Sequence, residues 1–262
     1  MIKKIAIGVA ALLVIIAGVA YFLFSNLDSI IKAAIEKYGT AATQAEVRLD
    51  SVKLSIAAGE GSLNGLSVAN PKGFSSTKAI YLGKISVKLD TSSVTGGGPI
   101  VIPEIVIEKP QIAYELANDG GSNLQTIQKN AVAYAGASSG TQPASGAGSG
   151  SSASSTSGSN AGQERKVIIN DLYIRDGQVG ISAALLPGKT LTAGLPTIHL
   201  TNICKDKGGA TPAQVAEQVL VSITSTAAKV ASTELTKQLG SLKGIPGAGG
   251  DIGNQVKGLL GR

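Results

Sequence analysis

The fold of this 262-residue chain is decided by the stretch IVIEKPQIAY, residues 105–114. Apolar and polar side chains alternate on each side of Lys109-Pro110, which is the two-residue period of a β-strand. A matching stretch, LYIRDGQVGI, occupies residues 172–181, and its apolar residues fall in the same places. Residues 52–63 form a looser third version. We interpret each as strand, tight turn and strand, and stacked units of this kind predict one continuous antiparallel sheet.

The apolar alternation changes parity within several of the predicted strands. It changes at Asp50-Ser51, around Gly83, at Pro103-Glu104 and at Asn170-Asp171. A bulge or kink keeps apolar residues on one face when the alternation slips, and it bends the strand. The repeated slips therefore predict a strongly bent sheet.

Followed through these slips, one face of the predicted sheet carries a set of apolar residues. They are Val52, Leu54, Ile56, Ile85, Val87, Leu89, Ile105, Ile107, Ile112, Tyr114, Leu172, Ile174, Val179 and Ile181. Two alternatives stay open for this face. Either a helix covers it and makes an ordinary core, or the curved sheet leaves an open trough whose residues face lipid chains, because a large exposed apolar area usually marks a binding site.

Helices are predicted at three places, which makes the fold class α+β. Residues 29–38 form a short helix that Gly39 should end, and residues 121–135 could form a second. The third begins with a capping box at Thr211, has Pro212 in its first turn and runs to about Leu239. It is amphipathic, with an apolar face made by Val215, Val219, Ile223, Ala227 and Val230.

The first 25 residues are predicted to be a transmembrane anchor. Residues 5–24 contain no charged residue, and twenty residues of helix span the roughly 30 Å hydrocarbon core of a bilayer. Lys3 and Lys4 precede the run, so the N-terminus should stay in the cytoplasm and the rest should be exported. The competing interpretation is a signal peptide cleaved after Gly18-Val19-Ala20.

Low-complexity sequence separates two halves of the predicted sheet. Residues 136–163 include 22 Gly, Ser or Ala among 28 residues and no charge, which is typical of a flexible, disordered loop. The predicted organisation is an anchor over 1–25, a first β half over 26–135, a linker over 136–165, a second half completing the same sheet over 166–210, and a helix with a flexible tail over 211–262.

Composition argues against several classes of function. The net charge of +6 is scattered, aromatic residues make up 3% and there is no Trp, so we expect no nucleic-acid partner. The single histidine, His199, should point away from the apolar face, and the single cysteine, Cys204, should be a small buried residue. Asp50, Glu60 and Asp90 lie where turns are expected. No nucleophile or metal-ligand motif is present, so we expect neither an enzyme nor a metal or other cofactor.

Several stretches together resemble the start of AsmA-type envelope proteins. They are DSVKL at 50–54, GSLNGLSVANPKGF at 61–74, residues 79–90 and IVIEKPQI at 105–112, all after an N-terminal apolar run. The resemblance implies anchoring in the bacterial inner membrane, a periplasmic bent sheet with an apolar inner face, and a link to outer-membrane lipid homeostasis. It implies no catalytic residue.

Two functions follow as expectations. The first is a periplasmic protein that binds or transfers membrane lipids through the apolar trough. The alternative is a scaffold without catalytic activity, whose closed core serves to position other envelope proteins.

Overall fold

The computed structural model describes residues 26–55, 57–117, 120–138, 165–183 and 190–242. These residues form an α+β fold with one open, mixed sheet and four α-helices. The strands are β1 (Val47–Arg48), β2 (Ser51–Ser55), β3 (Glu60–Ala69), β4 (Lys78–Lys88), β5 (Ile100–Glu108), β6 (Gln111–Leu116), β7 (Val167–Arg175), β8 (Gly177–Ala183), β9 (Leu191–Leu195) and β10 (Ile198–Ile203). The helices are α1 (Leu27–Thr43), α2 (Thr91–Thr95), α3 (Asn123–Ser138) and α4 (Pro212–Leu242), with a 3-10 turn at Lys205–Lys207.

The ten strand segments make six long strands that lie side by side in chain order. Both β5 and β6 pair with β4, and they do so in one unbroken register, so they are two parts of one strand. The same holds for β1–β2 against β3, for β7–β8 against β5–β6, and for β9–β10 against β7–β8. The hairpins predicted at Lys109-Pro110 and at Asp176-Gly177 are therefore wrong, because each dipeptide interrupts a strand without reversing it.

The two matching stretches lie next to each other in the sheet. Ile105 pairs with Leu172, and Tyr114 pairs with Ile181, so equal positions of the two stretches are partners. The pairing is parallel, and the prediction of a fully antiparallel sheet is wrong for this one strand pair. The reason is the connection: α3 and the chain after it lead back to the start of the next strand, as a crossover must for parallel strands.

A single line of irregular backbone crosses all six long strands. Its members face one another in the register and are Asp50, Gly65, Gly83, Lys109, Asp176 and Pro196. Gly65, Lys109 and Asp176 have φ of 66°, 51° and 55° there. We call these residues the break line. On each side of it the apolar residues stay on the same face, so Leu82 and Ile85 are both buried, and the predicted parity slips are confirmed.

The slips predicted further along two strands also lie side by side. Pro103 lies between the pairs of Ile102 with Ile169 and of Glu104 with Asp171, which places it opposite Asn170. Irregularities of this kind generally bend a strand, and the strongly bent sheet stays a prediction.

The core lies between one face of the sheet and the helices α3 and α4. Leu124 and Ile127 of α3, and Ala227 and Ala231 of α4, have no exposed surface. The capping box at the start of α4 is confirmed: the N–H of Gln214 donates to Thr211 Oγ1 at 3.2 Å, and the N–H of Thr211 donates to Gln214 Oε1 at 3.1 Å. The helix extends to Leu242, three residues beyond the predicted end.

Helix α1 is longer than predicted and does not end at Gly39. It runs to Thr43, and Gln44 adopts the left-handed conformation that closes it. Gly39 lies inside the helix, where a Cβ atom would approach the side chain of Val47 to 3.1 Å. The glycine therefore lets α1 lie close against β1. This close approach, and not the end of the helix, explains why a glycine is present at position 39.

Candidate functional surfaces

The fourteen residues predicted to face lipid divide into two groups in the structure. Nine are buried: Val52, Ile85, Ile107, Ile112, Tyr114, Leu172, Ile174, Val179 and Ile181. Four are only partly buried: Leu54, Val87, Leu89 and Ile105. Ile56 lies outside the described residues.

The buried group belongs to a core that helices close. Most of these residues lie in one apolar cluster together with Leu124 and Ile127 of α3 and Ile223 and Ala227 of α4. Helix α4 contacts β6, β8, β9 and β10, and α3 contacts β6. Over this part of the sheet the apolar face is thus an ordinary protein interior, the first of the two alternatives left open by the sequence.

The partly buried group forms a row at one end of the sheet. The register places Leu54, Val87 and Ile105 in line on neighbouring strands, with only Gly61 between the first two. We call these three residues the apolar row. The N–H of Leu54 donates to Asp28 Oδ1 at 3.1 Å, so the row lies at the end of the sheet where α1 begins.

Helix α1 closes one edge of the sheet with side chains. A stripe with a spacing of four residues, Asp28, Lys32, Glu36 and Thr40, faces the free edge of β1–β2. Three backbone N–H groups of this edge donate to Asp28, Glu36 and Thr40 at 3.1, 2.9 and 2.9 Å. Lys32 Nζ donates to the carbonyl of Asp50 at 3.2 Å. We call the stripe the edge seal. Sequence reasoning missed it, although polar residues four apart on a helix next to a strand were the available signal.

The opposite edge, β9–β10, has no such seal within the described part of the chain. Among those residues, the backbone of 191–203 makes hydrogen bonds only to β7 and β8. The segment contains no Asp, Glu, Lys or Arg. Natural proteins usually place charges on an exposed edge strand to prevent further pairing, so this edge is unusual.

The face of the sheet away from the helices is polar. His199 lies on it as predicted, stacked on Tyr173 with ring centres 4.1 Å apart, and its Nε2 is 2.7 Å from Asp171 Oδ1. The guanidinium of Arg175 lies 4.3 Å from the centre of the Tyr173 ring. A groove of about 610 Å³ crosses the same face and includes Arg48 in its lining.

A buried polar cluster holds the loop after β3. Asn123, which has no exposed surface, accepts from the N–H of Glu115 at 2.9 Å and donates to Asn70 Oδ1 and to the carbonyl of Ala113. The carboxylate of Glu115 accepts from the N–H of Ser75 at 2.6 Å. This loop contains the NPKGF part of the stretch that resembles AsmA proteins, and the contacts of Asn70 give that residue a structural explanation.

The charge of Glu115 is stabilised by the loop. Burial alone raises the pKa of its carboxyl, but hydrogen bonds from the N–H and hydroxyl groups of Ser75 and Ser76 outweigh burial and hold the pKa below its ordinary value. The carboxylate is therefore ionised at neutral pH and acts as an acceptor.

The other residues with reactive or ionisable side chains make contacts that serve the fold. Asp90 caps α2, and its hydrogen bonds with Ser92 lower the pKa of its carboxyl. Cys204 is partly exposed, so the prediction of a buried cysteine is wrong; its Sγ lies 3.5 Å from Gln218 Oε1. In the described ranges, no group of three His, Cys, Asp or Glu side chains could hold a metal ion.

Two comparisons with known proteins found no match for this chain. No family model matches it, and no curated protein matches it. The resemblance to AsmA proteins therefore stays a prediction.

None of the helices between residues 26 and 242 that the structure describes is both long and apolar enough to span a bilayer. The predicted anchor at 1–25 lies outside the described residues, as do 139–164 of the predicted loop and the tail after Leu242.

Proposed function

We propose that this chain is a scaffold of the bacterial envelope that has no catalytic activity, is anchored once in the inner membrane and positions partner proteins in the periplasm. One observation carries the choice over the lipid trough: nine of the fourteen apolar residues that a trough would need are buried, most of them beneath α3 and α4. A trough open to acyl chains needs these side chains to be accessible, and a closed core leaves the outer face and the edges for binding.

The anchored, exported state is supported by the sequence. The uncharged run over 5–24 follows two lysines, and α1 begins at Leu27, directly after the predicted bilayer exit. This arrangement would hold the sealed edge and the apolar row close to the bilayer. The proposal gives His199 a structural role, since it stacks on Tyr173 and lies 2.7 Å from Asp171 on the polar face.

A second candidate, lipid binding, has one observation in its favour. The apolar row is only partly buried and lies beside the start of α1, where a predicted anchor would bring it to the membrane surface. A row of three aliphatic residues could contact an acyl chain along one side. It would not enclose the chain as a trough does.

The two candidates are separated by a photoreactive amino acid placed in living cells. At Val87, in the apolar row, lipid binding predicts adducts with phospholipid, whereas the scaffold predicts adducts with protein or none. The matched control is Val179, which has no exposed surface and should give adducts only within the chain. Phospholipid adducts at Val87 but not at Val179 would favour the second candidate.

The closed core is tested by stability. Ile181→Asp buries an unpaired carboxylate at a residue that is 1% exposed, so we expect a loss of about 4 kcal/mol and an unfolded protein. Val87→Asp, at a partly exposed site, should remain folded. A folded Ile181→Asp protein that has lost phospholipid would contradict the closed core.

A further inference from the structure

We infer that the edge formed by β9–β10 is a docking site for an extended segment of a partner protein, which adds a seventh long strand to the sheet. The inference deepens the proposed scaffold function and rests on it for the orientation of the chain at the membrane. The occupant is a β-strand with apolar residues at alternate positions and few charges between them.

The first argument is the contrast between the two edges. The edge of β1–β2 is closed by four side chains of α1, whereas the backbone groups on the outer side of β9–β10 have no partner within the described residues. Backbone N–H and C=O groups are strong hydrogen-bonding groups, and an exposed row of them is a template for another strand. Among the residues that the structure describes, the β9–β10 edge is therefore the one that offers this template.

The second argument is the chemistry of the edge strand. It runs from Leu191 to Ile203, interrupted by Pro196 at the break line, and has no charged side chain to repel an incoming strand. The longer part is β10; Asn202 within it has a left-handed backbone with φ of 52°, so its regular part is residues 198–201, which can pair with about four residues. Strand addition of this kind gains affinity from main-chain hydrogen bonds and specificity from alternate side chains.

The alternation along β10 specifies the side chains of the partner. Ile198 is buried and Leu200 is partly buried on the helix side, whereas His199 and Thr201 are exposed on the polar face. A segment paired with β10 continues both faces. Its apolar residues would extend the core beside Ile198, and its other residues would lie beside the hydroxyl and imidazole groups.

A second copy of the chain is a poor occupant. Two copies paired in antiparallel fashion through β10 would be related by a twofold axis perpendicular to the sheet. That axis places the starts of the two α1 helices at opposite ends of the joined sheet, because α1 begins beside Leu54 at one end. Two anchors in one bilayer must lie at the same end, so a partner strand fits and a homodimer does not.

The experiment uses the full chain in detergent micelles and a labelled synthetic peptide, VIINDLYIR. This is the sequence of β7, which β10 already accepts on its inner side. Two further peptides carry N-methyl groups on alternate residues, one on the odd and one on the even positions. We expect the plain peptide to bind, one methylated peptide to bind at least about tenfold more weakly, and the other to bind normally, because alternate N–H groups of a strand point to opposite sides.

A matched pair of protein variants locates the peptide. The double variant His199→Lys and Thr201→Lys places charges on the edge strand, and Ser62→Lys places one on the same face of β3 inside the sheet. We expect about fivefold weaker binding for the double variant only. Circular dichroism of each variant shows whether it is folded. If the double variant is unfolded, the comparison of the two methylated peptides on the unmodified chain still tests the inference.

Three results would overturn the inference. They are no binding at millimolar peptide, equal loss with both methylated peptides, and a dimer of the chain alone that the peptide dissociates, which would identify a second copy as the occupant. The first two results depend on neither the bilayer nor lipid adducts, so failure there is distinguishable from failure of the anchored scaffold in cells. The third concerns the exclusion of a second copy, which rests on the predicted anchor.

Discussion

Replacing Asn123 with alanine should destabilise the protein far more than any exposed asparagine would. Asn123 has no exposed surface, and its amide makes three hydrogen bonds, one from the N–H of Glu115 and two to the oxygens of Asn70 and Ala113. Alanine leaves these groups without their partner. An unsatisfied buried group costs about 1–3 kcal/mol, and Asn70 can still reach water, so we expect a loss of about 3 kcal/mol.

The measurement is thermal unfolding of the full chain in micelles, followed by circular dichroism. For a domain of this size, 1 kcal/mol shifts the Tm by about 2–4 °C, so the expected decrease is about 9 °C. The control is Asn130→Ala on the same helix, which removes one hydrogen bond of 2.9 Å to the carbonyl of Thr43 at a half-buried site. It should cost about 1 kcal/mol. An Asn123→Ala protein no less stable than this control would refute the reasoning.

Two further predictions concern the edge seal and the effect of acid. Glu36→Ala removes the acceptor of the Leu49 N–H, so amide exchange at Leu49 should accelerate at least about tenfold, with exchange in β4 unchanged; unchanged exchange at Leu49 would contradict the seal. Because folding lowers the pKa of Glu115, its contribution is present above the unfolded pKa of about 4.3 and is lost as pH falls through the folded pKa. Stability measured from pH 6 to pH 2 should therefore decrease less steeply in Glu115→Gln; parallel curves would count against this assignment.

The sequence predicted the strands and the parity slips well because both depend on local alternation. Leu49 and Val52 lie on opposite sides of one slip and are both buried, as are Ile169 and Leu172 at another. The apolar pattern therefore predicted the backbone irregularities correctly. The match between residues 105–114 and 172–181 was also correctly identified. Its meaning was not, because alternation is the same in a hairpin and in two parallel neighbours.

The direction of the chain at Lys109-Pro110 could not be predicted from the sequence, and the reason is physical. A proline after a polar residue is typical of a turn, but it also interrupts a strand that continues. Here the N–H of Lys109 donates to the carbonyl of Arg175, and the carbonyl of Pro110 accepts from Gln178, both in the neighbouring strand. Those partners lie almost seventy residues further along the chain, beyond the reach of a local pattern.

The candidate site was predicted less well than the fold. Nine of the fourteen apolar residues are buried, and eight of those share one apolar cluster, but the alternation cannot show whether a helix covers the apolar face. The edge seal depends on where α1 lies. Because the sequence predicted that α1 ends at Gly39, the close contact of Gly39 with Val47, which places α1 beside β1, was not predicted.

The parallel pairing at the centre of the sheet has a consequence for how the protein folds during its synthesis. The segments up to β6 join neighbours that are close in sequence, so they can form a four-stranded unit early. Strand β5–β6 then presents an unpaired edge until β7–β8 is delivered across a separation of 67 residues, read from the pairing of Ile105 with Leu172. During that interval the nascent chain is exposed to pairing with the wrong strand, and a chaperone would have its greatest effect there.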